Sequence, residues 1–286
     1  MPVFAIPFPM IDPVAVQLGP LAIKWYGLAY VVGLLGGWWY ARRLVSSDRL
    51  WGGRPRPKPA DLDDMLLFVA FGVVLGGRIG FVLFYDLPRY LERPLDILAI
   101  WQGGMSFHGG LIGATLGLWL FAKRLKLPAL SVFDLAAAVV PIGLMLGRIA
   151  NFINGELWGR PAPDFPWAMV FPGPNAGPLP RHPSQLYEAF AEGLLLFVLV
   201  NLLVRFGGFK RPGFVAGAFG MGYAVARTVC EFFREPDPQL GFLFGSSVDA
   251  LSGGITMGML LSLPVFFAGL WLVLRSGRRL RGGARA

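Results

Sequence analysis

Met65-Leu66-Leu67-Phe68-Val69-Ala70-Phe71-Gly72-Val73-Val74-Leu75-Gly76-Gly77-Arg78-Ile79-Gly80-Phe81-Val82-Leu83-Phe84 carries a single charged side chain, Arg78. A helix of about 20 apolar residues crosses the roughly 30 Å hydrocarbon core of a bilayer, so this run predicts a transmembrane helix. An arginine at that depth costs about 2.5–3.5 kcal/mol on insertion scales and by default faces the bundle interior. The stretch therefore makes two statements at once: a membrane-spanning fold, and a polar feature inside it.

Similar apolar runs recur along the chain, near residues 25–41, 105–122, 132–150, 189–204, 214–233 and 250–274. With 55% hydrophobic and 15% charged residues, the whole chain has the balance of a bundle in lipid rather than of a soluble domain. The expected fold is an all-α integral membrane protein of seven transmembrane helices. Residues 1–286 form one polytopic domain, because no stretch is long enough to hold a separate soluble core. The N-terminal Met1-Pro2-Val3-Phe4-Ala5-Ile6-Pro7-Phe8-Pro9-Met10-Ile11-Asp12-Pro13-Val14 lacks the basic region of a signal peptide, so no cleavage is expected.

Basic residues mark alternate connections. Arg42, Arg43, Arg49, Arg54, Arg56 and Lys58 follow the first run, and Lys123, Arg124 and Lys126 follow the third. Arg205, Lys210 and Arg211 follow the fifth, and Arg275, Arg278, Arg279, Arg281 and Arg285 the seventh. The positive-inside rule makes these loops cytoplasmic, which puts the N-terminus outside and the C-terminus inside. The net charge of +9 is explained by this topology and does not require a nucleic-acid partner. The connection 151–187, rich in Pro and Gly, then becomes an external insertion of irregular backbone between helices four and five.

Orientation gathers the unusual side chains. Tyr26 and His108 fall at the outer ends of their spans, and Arg78, Arg148 and Arg227 in the outer halves of theirs. Gly147-Arg148-Ile149-Ala150-Asn151-Phe152-Ile153-Asn154-Gly155-Glu156-Leu157-Trp158-Gly159-Arg160 sets a guanidinium, two amides and a carboxylate at one membrane interface. Arg148 and Asn151 share a helix face if the helix continues to residue 151. Tyr223, Arg227, Glu231 and Arg234 are spaced four, four and three, one stripe of a helix. An internal ion pair is the plain reading of that stripe. With Arg148 in the same layer, however, Glu231 does not neutralise the group, and an anion is the economical missing partner because arginine grips phosphate in a bidentate fork.

Gly103-Gly104-Met105-Ser106-Phe107-His108-Gly109-Gly110-Leu111-Ile112-Gly113 frames His108 with glycines that allow close backbone approach. The plain reading is tight packing with a polar cap, yet histidine is the side chain best suited to take a proton near neutral pH. Arg78 reads equally as a structural ion pair or a headgroup contact. His182 reads mainly as scaffold, and Glu188 as a favourable helix cap. The lone Cys230 and two histidines supply neither a disulfide nor a zinc site, so no metal and no cofactor are expected.

The stretch from Gly147 to Gly159 resembles, without a departure, the signature Gly-Arg-x-x-Asn-Phe-x-Asn-x-Glu-x-x-Gly of the prolipoprotein diacylglyceryl transferase family. Further similar segments are Lys24-Trp25-Tyr26-Gly27-Leu28, Phe107-His108-Gly109-Gly110-Leu111-Ile112-Gly113, His182-Pro183-Ser184-Gln185-Leu186-Tyr187-Glu188 and Glu231-Phe232-Phe233-Arg234-Glu235-Pro236-Asp237. The resemblance implies a transferase of the bacterial inner membrane, with its active site toward the outer leaflet. It would move the diacylglyceryl group of phosphatidylglycerol to the lipobox cysteine of a preprolipoprotein, forming a thioether and releasing glycerol 1-phosphate. Membrane lipids and the signal peptide of the preprolipoprotein are then the partners.

On that reading Arg148 and Arg227 stabilise the leaving phosphate, while Asn151 and either Tyr26 or Tyr223 donate hydrogen bonds and Gly159 permits a turn or close lipid approach. His108 is the first choice of base for the thiol, with Glu231 or Glu156 second or as orienters of the arginines. A phosphatase or acyltransferase would need a histidine nucleophile or a His–Asp motif, and neither surrounds His108 or His182. A lipid transporter would show internal repeats and polar residues through both halves of the bilayer, which the chain lacks.

Overall fold

The computed structural model describes residues 6–173, 175–236, 241–243 and 254–283. Helix dominates, and among these residues seven helical stretches run 18 residues or more. They are α1 (Trp25–Val45), α2 (Asp61–Phe84), α3 (Phe107–Arg124), α4 (Ala129–Ile153), α5 (Ser184–Arg205), α6 (Phe214–Glu231) and α7 (Met257–Gly283). Four of them, α2, α4, α5 and the Met257–Gly277 part of α7, are long and apolar enough to cross a membrane. Leu75, Ile79, Leu83, Leu260, Leu263 and Phe267 on two of these helices are exposed. Apolar surface on that scale is stable against lipid and not against water, as befits a multi-pass membrane protein.

The helices match the apolar runs, with shifted ends. α4 begins at Ala129 and continues to Ile153, so Asn151 is helical and does share a face with Arg148. α6 stops at Glu231, leaving Arg234 beyond the helix. The run at 250–274 begins as helix at Met257, and residues 250–253 lie outside the described residues, as does Asp237.

The fold is not purely helical. β1 (Ile6–Pro7) pairs in parallel with β2 (Met169–Val170), and Val14–Leu18 pairs with Leu21–Lys24 as a hairpin leading into α1. The two-residue strands β1 and β2 are fixed by partners far apart in sequence, and no apolar alternation announces them.

Glycine sets the closest helix contact. Gly72, Gly76 and Gly80 of α2 face Gly109 and Gly113 of α3, and Gly117 meets the Phe68 carbonyl, backbone against backbone. Small residues at four-residue spacing let helices approach where lipid supplies no hydrophobic drive. The main hydrophobic core packs α4 against the turn before α6, with Val132, Leu135, Phe209 and Val215 buried. There Asp134 accepts from the backbone N–H of Gly213 at 2.7 Å and of Ala216 at 2.8 Å, satisfying orphan donors at the start of α6.

Candidate functional site

The C-terminal turns of α4 and α6 meet the N-terminal turns of α5, and each brings charge to the junction. Arg148 comes from α4, Glu188 and Glu192 from α5, and Arg227 and Glu231 from α6. Residues Ala189–Leu195 of α5 form a π-helical turn, a widening that often marks functional sites. Gly193 in that turn lies against the backbone of Met145, which draws α5 onto the last turns of α4.

Arg148 sits with Nη2 3.4 Å from Glu192 Oε2 and Nε 3.4 Å from Glu188 Oε2. Arg227 pairs with Glu188 Oε1 and, four residues on in its own helix, with Glu231; its Nη1 is also 3.7 Å from Glu192 Oε1. Arg234 reaches back from beyond α6 to within 3.3 Å of Glu188 Oε1. Both α5 carboxylates are 0% exposed, while the Arg148 and Arg227 side chains keep 19% and 14%, so the more accessible members of these pairs are the arginines. Tyr223 lies within electrostatic reach of Glu192, Arg227, Arg148 and Glu188.

This arrangement corrects the charge argument made from sequence. Glu231 is not alone: Glu188 and Glu192 also face the arginines. Glu188, read as a helix cap, is a central ligand of three guanidiniums. Glu192 was missed altogether, although an acid within the 189–204 apolar run is itself the signal of a buried polar site.

A second group adjoins this cluster. Asn151 Nδ2 donates to Glu156 Oε1 at 2.8 Å, and Asn154 Nδ2 lies 3.5 Å from the same oxygen. Gly155, in the left-handed region at φ 64°, turns the chain so that the Glu156 N–H donates back to the Asn151 carbonyl at 3.1 Å. Glu156 is thus a half-buried carboxylate held by amides, and Gln185 Nε2 fixes its carbonyl at 2.6 Å. Glu231 is held differently, accepting from Thr256 Oγ1 at 2.7 Å.

Two expected site residues, Arg78 and His108, stand apart from the cluster, whereas Tyr26 adjoins it through Tyr30, which lies within electrostatic reach of Arg148 and Glu156. Arg78 donates to the carbonyls of Ile97 at 2.8 Å, Gly103 at 2.6 Å and Gly104 at 3.1 Å, and also to Asp96. It fastens the loop before α3 and is no part of the cluster around Arg148. His108 is exposed in the first turn of α3, its ring against Phe107 at 5.7 Å. Among the described residues no hydrogen bond joins it to Arg148, Arg227 or a carboxylate. Tyr26 is half-buried, ring against Tyr30 at 5.2 Å. The room Gly159 leaves is taken by protein: a Cβ there would overlap the Phe233 carbonyl and meet the His182 Cβ at 2.7 Å.

Gly159 and its neighbours lock the irregular segment. The Gly159 N–H donates to the His182 carbonyl at 2.8 Å, and Arg160 donates to the carbonyls of Arg234 at 2.9 Å and Glu231 at 3.0 Å, closing the end of α6. His182 packs against Phe165, Phe233 and Tyr187, with Nδ1 3.2 Å from the Tyr187 hydroxyl. Burial, and then the positive Arg160 nearby, push the His182 pKa below its ordinary value, keeping the ring neutral.

Residues 13–275 match the family described as prolipoprotein diacylglyceryl transferase. The chain belongs to that family. Family relatives named phosphatidylglycerol--prolipoprotein diacylglyceryl transferase cover nearly the whole chain. That of Methylocella silvestris is 60% identical over 276 residues, 96% of this chain and 97% of its own length. That of Beijerinckia indica subsp. indica is 60% identical over 271 residues, 94% and 95% of the two chains. That of Rhodopseudomonas palustris is 55% identical over 290 residues, 100% of this chain and 97% of its own. The family match takes in every element that builds the cluster, from the hairpin before α1 to the body of α7.

Proposed function

We propose that this chain transfers the diacylglyceryl group of phosphatidylglycerol to the lipobox cysteine of a preprolipoprotein. Its near-full-length relatives carry that activity in their names. The observation that carries the reading is the pair Arg148 and Arg227, held by buried carboxylates with part of each arginine side chain still exposed. The seven helices all cross the membrane, with the N-terminus outside, and residues 151–187 form an external insertion within one domain. The cluster then lies at the depth of outer-leaflet headgroups in the inner membrane.

In the reaction the peptide thiolate attacks the glycerol carbon that bears the phosphate. A C–S bond forms, the C–O bond breaks, and glycerol 1-phosphate leaves with the electron pair. Arg148 and Arg227 meet the charge that develops on the phosphate, the contribution that fixed donors make best. Their carboxylate partners hold the guanidiniums in place, so little reorganisation is needed during the step. Glu231 is an orienter, engaged by Arg227 and Thr256. Asn151 fixes Glu156, and Tyr26 and Tyr223 supply hydroxyl donors on either side. His108 takes the thiol proton: its exposed ring at the start of α3 is free to meet a peptide, and a free thiol near pKa about 8.5 needs such help at neutral pH.

The test is glycerol phosphate release by purified protein in detergent with phosphatidylglycerol and a lipobox peptide. Release should require the peptide thiol, vanish with a serine-substituted peptide, and fall at least a hundredfold in Arg148→Ala. Release without peptide would make the protein a lipid hydrolase and overturn the reading.

A further inference from the structure

Among the described residues, two oxygens in the charged cluster have no hydrogen-bond donor: Glu188 Oε2 and Glu192 Oε1, both fully buried. Each lies near a guanidinium, Glu188 Oε2 at 3.4 Å from Arg148 Nε and Glu192 Oε1 at 3.7 Å from Arg227 Nη1, but neither contact is a hydrogen bond. The opposite oxygens of the same carboxylates are engaged by Arg227, Arg234 and Arg148. A carboxylate has room for about four donors, and leaving a buried charged acceptor unmet is costly. Both acids sit on one face of α5, four apart in and beside its π-helical turn. The arginines thus offer positive charge, and beside them lie two buried oxygens with acceptor capacity left over, which a ligand reaches by parting the side chains that cover them.

That pairing has one natural complement: a phosphate diester whose substituent carries hydroxyl groups. The diester anion meets the exposed part of the Arg148 and Arg227 side chains, and the hydroxyls donate to the carboxylate oxygens at their sides. An ammonium substituent fits worse. It donates to the same oxygens, but each of these lies only 3.4–3.7 Å from a guanidinium nitrogen, so repulsion by the arginines offsets its attraction to the acids. A neutral hydroxyl meets no such penalty.

We propose that Glu188 and Glu192 read the headgroup, accepting hydrogen bonds from the hydroxyls of the phosphoglycerol and so selecting a polyol diester over other phospholipids. This rests on the transferase reading and adds a role that the arginines do not fill. The two acids are specificity-determining residues. In the Gln variants an amide NH2 would take the free position, since the oxygen is needed by the arginines, and an acceptor becomes a donor.

The test compares transfer to a lipobox peptide from three lipids with the same acyl chains: phosphatidylglycerol, phosphatidylpropanol and phosphatidylethanolamine. Phosphatidylpropanol keeps the diester charge and lacks headgroup hydroxyls. Wild type should prefer phosphatidylglycerol over phosphatidylpropanol at least tenfold in kcat/KM, and should use phosphatidylethanolamine more poorly still. Glu192→Gln and Glu188→Gln should shrink the first ratio to within about threefold, mainly by losing activity on phosphatidylglycerol. The wild-type series stands whether or not the variants fold. Equal use of phosphatidylglycerol and phosphatidylpropanol by wild type overturns the proposal, as does an unchanged ratio in folded Gln variants. Absence of transfer from phosphatidylglycerol by wild type would instead sink the transferase reading.

Discussion

Arg78 and Arg148 look alike in the sequence, each an arginine in an apolar run, yet they do different work. Arg148 meets carboxylates and stays partly exposed, whereas Arg78 is spent on backbone carbonyls of residues 96–104. Hydrogen bonds from a charged donor are worth about 1.5–3 kcal/mol each. Arg78→Met should therefore lower the melting temperature in detergent by several degrees while leaving KM for lipid within about twofold in the protein that remains folded. A rise in KM of tenfold without a stability change would place Arg78 at the headgroup instead. His182 gives a pH prediction. Its pKa is lowered in the fold by burial and by Arg160, so between that value and the unfolded value near about 6.5 the unfolded chain binds more protons. Stability is thus full above about pH 6.5 and is lost as pH falls through that window. Protection from hydrogen exchange in residues 159–183, corrected for the slower intrinsic exchange at low pH, should fall from pH 7.5 to 5.5 in wild type, and the fall should flatten in His182→Asn. An identical pH response in both would remove His182 as the cause.

At the scale of elements, α2 and α3 show what spacing alone carries. Gly113 has no space for a side chain: a Cβ there would overlap the Gly72 carbonyl. Overpacking of this kind costs about 1–3 kcal/mol, so Gly113→Ala should melt several degrees lower, and Gly143→Ala, with open space around its Cβ position, should not. Equal melting of the two would mean the helices are not in backbone contact. The helices were legible because length and apolarity are local properties, and so was the approach of backbone around His108. The partners of Arg148 and Arg227 were less so. Glu188 stands at the edge of an apolar run, where a helix cap explains it as well as an ion pair does. Only the π-helical turn of α5, packed on Met145 through Gly193, turns it and Glu192 toward α4 and α6. The short strand pairing Ile6–Pro7 with Met169–Val170 was hidden for the same reason, as its partners are over 160 residues apart.

For the whole molecule, basic loops and the placement of the charged cluster point to one orientation. Cys230 is the single cysteine and is buried, so new surface cysteines can be read nearly without background. A membrane-impermeant maleimide applied to spheroplasts should label Asp164→Cys in the external segment and spare Lys58→Cys until the membrane is opened. The reverse pattern would invert the topology and put the arginine cluster on the wrong leaflet for its substrate. The functional claim for the whole molecule is narrower than lipid binding: the diacylated glycerol itself moves, and the phosphate leaves with the other glycerol.

The most direct measurement is mass spectrometry of a lipobox peptide after incubation with protein and phosphatidylglycerol deuterated only in the diacylated glycerol backbone. The account predicts a peptide that gains the full diacylglyceryl mass with all the label, through a bond that survives hydroxylamine, as a thioether does. An acyl group alone, cleaved by hydroxylamine, or a mass gain without the deuterium would contradict it.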